Sequence, residues 1–261
     1  MKRIESSANP LYRALHKLAQ SNRERRKQGL TLIDGVHLLD AYLSRGGKPH
    51  HVLVTQSAAA DPGIATLIQR LPMPPIVLTD VLFTALTELR SPSGILCAIP
   101  IPDSKPAAPP GCWILLEDIQ DPGNLGSILR SAVAAGIGDA WLSQGCADAW
   151  SPKVLRAAMG AHFSLRLHPG ADLAKAALAC GGSVVALTVD ATRSIFELDL
   201  TGPMAFALGN EGAGLSAPLR EAATDHAAIP MPGHAESLNV AAAAAICLFE
   251  RVRQLAAVRS R

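Results

Sequence analysis

Trp113-Ile114-Leu115-Leu116-Glu117-Asp118-Ile119-Gln120-Asp121-Pro122-Gly123-Asn124-Leu125-Gly126-Ser127-Ile128-Leu129-Arg130 is the stretch from which the fold can be read. Four large apolar residues in a row, with no alternation, describe a strand buried on both faces. The polar run after Leu116 turns the chain, and Leu125, Ile128 and Leu129 then recur at helical spacing, so a helix is expected from about Asn124 to Ala135. Downstream, Ala140 to Leu142, Ser183 to Thr188, Ala205 to Leu208 and Ala227 to Ile229 are short strand candidates. Helices are expected near Pro152 to Met159, Leu173 to Ala179 and Ser237 to Arg253. Alternating strands and helices with short connections imply a doubly wound, mostly parallel α/β sheet covered on both faces. The alanines from Ala241 to Ala245 fit a closely packed helix face.

Upstream, prolines at 100, 102, 106, 109 and 110 preclude regular structure and mark a linker over residues 100–110. Residues 1–99 then form a first, small α/β domain and residues 111–261 a second. In the first, Asn9 or Ser7 can cap a helix through about Gln20, with Pro10 at its first position and Leu11, Leu15 and Leu18 on its apolar face. Leu30 to Ile33, His51 to Thr55, Pro75 to Leu78 and Gly94 to Pro100 read as extended; His37 to Leu43 reads as a helix, and Asp80 can cap another through Leu86.

The chain has 261 residues, 49% of them hydrophobic and 18% charged, enough to bury a substantial core and against wholesale disorder. No apolar run reaches the length of a membrane span, and the N-terminal residues lack the apolar core of a signal peptide, which leads us to expect a cytoplasmic protein. Five cysteines, at 97, 112, 146, 180 and 247, contain no CxxC pair and fit reduced thiols better than a disulfide framework or a zinc cluster. The net charge of +2 conceals an asymmetry: residues 1–110 carry thirteen Lys and Arg against eight Asp and Glu, residues 111–261 eleven against fourteen. The basic surplus is densest at Arg23, Arg25, Arg26 and Lys27, with Arg13 and Lys17 before it at helical spacing. Such a cluster either contacts phosphates of a nucleic acid or is a solvated helix end.

Three segments carry candidate chemistry. In the first, Asn124 stands where a helix cap belongs, at the carboxyl end of a strand, and Arg130 lies about one and a half turns further on. In the second, Leu208-Gly209-Asn210-Glu211-Gly212-Ala213-Gly214, glycines after a strand let backbone groups approach a ligand. Its spacing is not GxGxxG, so a dinucleotide oxidoreductase scores poorly. In the third, Ile229-Pro230-Met231-Pro232-Gly233-His234-Ala235-Glu236-Ser237-Leu238-Asn239-Val240, two prolines and a glycine fix a loop before a helix, and Ser237 or Asn239 can cap it. Ser237 lacks the GxSxG elbow of a hydrolase nucleophile. The eight histidines show no metal-ligating spacing, and no required metal is expected.

Taken together, Asn124-x-Gly126-x-x-x-Arg130, Leu208-Gly209-Asn210-Glu211-Gly212 and Ile229-Pro230-Met231 to Ser237-Leu238-Asn239-Val240 resemble, in order and separation, the three motifs of the SpoU (TrmH-like) family of RNA ribose 2′-O-methyltransferases. The likeness extends upstream: Leu32-Ile33-Asp34-Gly35-Val36-His37-Leu38-Leu39 resembles the start of that family's small substrate-binding domain, and Ser91-Pro92-Ser93-Gly94-Ile95 its closing strand. Asp34 departs from the glutamate more usual there. The resemblance implies a C-terminal domain threaded into a deep trefoil knot, an outcome that general topology rules disfavour. It also implies an N-terminal domain of ribosomal L30e-like fold, S-adenosylmethionine bound bent against the knot loops, and a homodimer with an active site composed from both subunits.

By the same resemblance the catalytic shell is Asn124, Arg130, Glu211, Ser237 and Asn239. Asn124 would position the ribose or Arg130, Arg130 would engage the hydroxyl and its phosphate, and Glu211 would hold Arg130 or a residue of the partner. The cofactor would be held by Thr188, Leu208, Gly209, Asn210, Gly212, Ile229, Met231, Ser237 and Leu238. Arg13, Lys17, Arg23, Arg25, Arg26 and Lys27 would bind RNA, ribosomal RNA first and transfer RNA second. A catalytically silent RNA-binding or ribosome-assembly protein is the alternative from another class; it would have lost motif residues that this chain retains.

Overall fold

The computed structural model describes residues 2–87, 89, 92–103 and 111–259. The chain forms two compact units, one of residues 1–103 with 150–163, the other of residues 104–149 with 164–261.

The first unit contains β1 (Arg3–Ile4), α1 (Pro10–Gln20), α2 (Asn22–Gln28), β2 (Leu30–Asp34), α3 (Val36–Ser44), β3 (His51–Thr55), α4 (Pro62–Gln69), β4 (Ile76–Leu78), α5 (Asp80–Thr84) and β5 (Ile95–Pro100). Its sheet has the order β1-β4-β3-β5-β2, with β5 antiparallel to both neighbours. Asn9 is the cap of α1, accepting from the amides of Leu11 and Tyr12. Leu15 and Leu18 of that helix join Leu32, Leu53, Phe83 and Leu96 in one core. Each such side chain contributes about 1.5–3 kcal/mol by leaving water. Thr79, not Asp80, caps α5, and the helix stops at Thr84. At the end of β2, burial raises the carboxyl pKa of Asp34, which accepts a hydrogen bond from the Thr87 hydroxyl. Ser91, in the segment likened to a closing strand, lies outside the described residues, as do residues 104–110 of the linker; β5 itself begins at Ile95.

The basic cluster divides. Arg13, Lys17, Arg23, Arg26 and Lys27 are exposed, but Arg25 is only 5% accessible. Its guanidinium donates to the carbonyls of Leu18 (2.6 Å) and Ala19 (3.3 Å), closing the last turn of α1. The expectation that Arg25 meets RNA is therefore corrected: two short helices meet at Ser21, and Arg25 satisfies carbonyls that the first leaves open.

The second unit contains β6 (Cys112–Leu116), α6 (Pro122–Ala134), β7 (Asp139–Leu142), β8 (Arg166–Pro169), α8 (Leu173–Ala179), β9 (Ser183–Leu187), β10 (Met204–Leu208), α9 (Ala217–Ala222), β11 (Asp225–Ala227) and α10 (Val240–Arg259); α7 (Pro152–Ala158) belongs to the first. The six strands are all parallel in the order β11-β9-β10-β6-β7-β8. Every residue of the central strand β10 is buried, as a parallel sheet covered on both faces requires. Edge strand β8 brings Arg166 and His168 onto the Asp139 carboxylate, with Arg166 at 2.8 and 2.6 Å and His168 at 2.9 Å. The division at the linker expected from the prolines is thus incomplete. Residues 150–163 join the first unit through α7 against β2, a hydrogen bond from the Thr31 hydroxyl to the Trp150 carbonyl (2.5 Å) and the Tyr42–Phe163 ring pair (5.2 Å).

Two outcomes follow. Arg25→Ala should destabilise the protein by about 1.5–3 kcal/mol, the worth of charge-assisted bonds to buried carbonyls, while Arg26→Ala should leave it within about 0.5 kcal/mol; urea unfolding measures both. At Asp139, burial pushes the carboxyl pKa up, but the bonds from Arg166 and His168 outweigh it and hold the group below the usual range. Its contribution is present above the unfolded-state pKa of about 3.9 and is lost as pH falls through the lower folded value. The stability gap between wild type and Asp139→Asn should therefore close as the pH falls below about 4.

Candidate active site

The ends of β6, β9, β10 and β11 deliver four loops to the carboxyl edge of the parallel sheet, where open α/β folds bind ligands. Asp121 caps α6, taking the Asn124 amide at 2.7 Å, and Pro122 occupies the first helical position. The cap role expected for Asn124 is thereby corrected: Asn124 sits in the first turn with its side chain free to reach outward. Its Nδ2 donates to Glu211 Oε1 at 2.6 Å, and its Oδ1 accepts from Asn239 Nδ2 at 2.9 Å. Asn239 is itself the cap of α10, accepting from the amides of Ala241 (3.0 Å) and Ala242 (3.3 Å), which fixes its amide with Nδ2 toward Asn124. One chain of side-chain hydrogen bonds thus joins the three sequence segments.

The glycine-rich loop after β10 is held from within. Asn210 Oδ1 accepts from the amides of Gly212 (2.9 Å) and Ala213 (3.1 Å), and its Nδ2 donates to the Asp118 carbonyl (3.1 Å). The Asn210 side chain is therefore committed to the loop. A methyl group at Gly209 would lie 2.2 Å from the Gly214 carbonyl oxygen, so the close approach of the two loop arms requires glycine there. Glu117, at the end of β6, accepts from both the amide and the hydroxyl of Ser216 at 2.7 Å, anchoring the far end of the loop.

The loops after β9, β10 and β11 enclose a cavity of about 420 Å³. All nine residues expected to hold a cofactor line it, together with Glu211. Inside, the buried Thr188 hydroxyl faces the Asp190 carboxylate and, after Arg220, helps to hold it below its ordinary pKa. Size, apolar walls at Leu208, Ile229 and Leu238, and the polar side chains of Thr188, Asp190 and Arg220 fit an adenosine-sized ligand with a polar tail. No group of three or more His, Cys, Asp or Glu among the described residues is placed to hold a metal ion.

Asn124, Glu211 and Asn239 are brought together, and Ser237 lines the cavity without joining their hydrogen bonds. Arg130 is not brought to them. It is exposed on α6, about 9 Å along the axis and some 120° around it from Asn124. Glu211, expected to hold Arg130 or a residue of the partner, takes Asn124 within this chain. Sequence reasoning missed Asp121, Glu117, Asp190 and Arg220, the last two on the cavity wall. Their place beside strand ends was the signal for Asp121, Glu117 and Asp190; Arg220 had none.

Residues 111–249 match the model of the SpoU rRNA Methylase family. An uncharacterized tRNA/rRNA methyltransferase from Synechocystis is 34% identical over 257 residues, covering 96% of this chain and 93% of that protein. The 23S rRNA (guanosine(2553)-2′-O)-methyltransferase RlmP of Bacillus subtilis is 35% identical over 254 residues, 95% of this chain and 98% of that one. Among solved structures, the SpoU methyltransferase AviRb from Streptomyces viridochromogenes, in complex with the cofactor AdoMet, superposes with a TM-score of 0.86 at 27% identity, covering 94% of this chain and 98% of that chain.

Gly209→Ala should cost about 1–3 kcal/mol of stability, since the added methyl meets backbone on the opposite arm and has no soft side chain to displace. The same change at Gly233, where nothing lies within 4 Å, is the control; thermal unfolding compares them.

Proposed function

We propose that this chain, which belongs to the SpoU rRNA methylase family, transfers a methyl group from S-adenosylmethionine to a ribose 2′-hydroxyl of structured RNA, with ribosomal RNA as substrate. The observation that carries this reading is the Asn239–Asn124–Glu211 hydrogen-bond chain at the rim of the cavity. Bound S-adenosylmethionine supplies an activated methyl group on a positive sulfur. The protein's task is alignment and management of one proton. The Thr188 hydroxyl and backbone groups of the loop at 208–212 hold the cofactor; Asn124, locked at both ends of its amide, presents a fixed polar edge to the ribose.

The Arg130 guanidinium makes no hydrogen bond or ion pair with another described residue, which leaves it available to an RNA phosphate. Because a guanidinium stays protonated at neutral pH, its role is to stabilise the developing alkoxide and not to remove the proton. Its distance from its own chain's cavity supports a homodimer in which Arg130 serves the partner's site. The exposed Phe249 (47% accessible), with Ala242 and Ala256 on the same side of α10, offers an apolar face for that pairing. We read the 229–239 segment, which lines the same cavity as the loops after β9 and β10 before entering α10, as the threaded part of a trefoil knot.

Ribosomal RNA is favoured by the names of the relatives and by five exposed basic residues on α1 and α2. Free cysteines, and the absence among the described residues of a helix long and apolar enough to cross a membrane, support a cytoplasmic site of action.

Incubation with methyl-labelled S-adenosylmethionine and separate pools of unmodified ribosomal and transfer RNA should place label in one 2′-O-methylnucleoside of ribosomal RNA; label confined to transfer RNA, or none, would overturn the reading. Asn124→Ala and Arg130→Ala should each lower kcat by at least about 100-fold, with cofactor affinity within about threefold of wild type. Mixed subunits of the two variants should regain up to about a quarter of wild-type activity, since a composite site leaves one intact centre in each heterodimer. No recovery would place Asn124 and Arg130 in the same subunit's site.

A further inference from the structure

Three charged side chains line the cavity: Glu211, Asp190 and Arg220. Glu211 is tied to Asn124 at the reacting end. The other two stand apart from it, Asp190 on the loop after β9 and Arg220 on α9, joined by a hydrogen bond of 2.8 Å from Arg220 Nη2 to Asp190 Oδ2. The guanidinium holds the Asp190 carboxyl below its ordinary pKa, so the pair is ionised at neutral pH. The Arg220 guanidinium uses one of its five N–H donors in this contact and makes no other hydrogen bond with a described residue.

S-adenosylmethionine carries three charges of its own: the positive sulfur, an α-ammonium and an α-carboxylate. With Glu211 tied to Asn124, a ligand carboxylate has a single cationic partner on the described cavity wall, Arg220, and a ligand ammonium a single remaining anion, Asp190. We propose that Arg220 and Asp190 form the subsite for the amino-acid head of the cofactor, Arg220 taking the α-carboxylate and Asp190 the α-ammonium. The proposal rests on the S-adenosylmethionine reading above. A neutral ion pair meets a neutral zwitterion, so no charge is left unmatched on binding. The existing contact engages one guanidinium nitrogen and leaves the other donors of Arg220 available for a planar carboxylate.

Calorimetric titration of the full-length protein with S-adenosylmethionine, and with 5′-deoxy-5′-methylthioadenosine, which lacks the amino-acid head, tests this without relying on turnover. Arg220→Met should weaken S-adenosylmethionine binding by about 10–100-fold and leave methylthioadenosine binding within about twofold. Asp190→Asn should show the same selectivity, and Arg220→Lys should recover part of the loss. Equal weakening of both ligands, or unchanged binding of S-adenosylmethionine to Arg220→Met, overturns the assignment while the cofactor reading stands. Failure of wild type to bind S-adenosylmethionine overturns both.

Discussion

The Asn124 side chain holds the site together because an amide has one end that only donates and one that only accepts. Nδ2 is fixed by Glu211 and Oδ1 by Asn239, so neither partner can be exchanged for the other without breaking the chain. Asn239 adds a further restriction: as the cap of α10 it already uses Oδ1 on two backbone amides, which leaves Nδ2 alone to face Asn124. Residues separated by 87 and 115 positions in sequence are thus oriented relative to one another by bonds whose direction is chemically determined. Such a fixed array needs little reorganisation when a ligand arrives.

Everything beneath that array serves to bring the three segments within reach. A parallel sheet sends all its carboxyl ends to one edge, so loops after β6, β9, β10 and β11 converge whatever their order in sequence. The loops are then made rigid individually. Asn210 substitutes its side chain for a turn partner, Glu117 grips both donors of Ser216, and Gly209 permits a backbone approach closed to any other residue. The cavity is lined by apolar groups such as Leu208, Ile229 and Leu238 together with the polar side chains of Thr188, Asp190, Glu211 and Arg220.

Dense apolar strands were legible from the sequence: β6 and β10 each extend one residue beyond the expected start, because a run such as Ala205 to Leu208 has few other ways to be buried. The resemblance to a family then supplied the residues of the cavity, which hydrophobic pattern alone does not mark. Other features depended on distant partners. Strand β8 was missed because Arg166 and His168 look like surface residues until Asp139 is placed beside them. Asn124 was assigned a cap because Asp121, three residues earlier, competes for the same role; Pro122, suited to the first helical position, favours Asp121. Helix α10 begins later than expected because Ser237 to Asn239 remain loop, and α4, α9 and β1 were not anticipated. Arg25 looked identical to its exposed neighbours, since only the meeting of α1 and α2 turns it inward.

Residues 150–163 alter what the chain is as a piece of architecture. They belong to the first unit while lying within the sequence of the second, so the backbone passes between units three times: near residues 103, 149 and 163. The two units are consequently interleaved in sequence and do not follow one another as separate cassettes. A ribosome completes the strands of the first unit well before it supplies α7, leaving part of β2 without its covering helix until about fifty more residues have emerged. The same interleaving makes the proline-rich linker only one of three connections, so a single cut there leaves two covalent crossings between the units intact. Recombination that exchanges the first unit at that linker would also separate β2 from the helix that packs on it, which ties the inheritance of the small unit to that of the larger one.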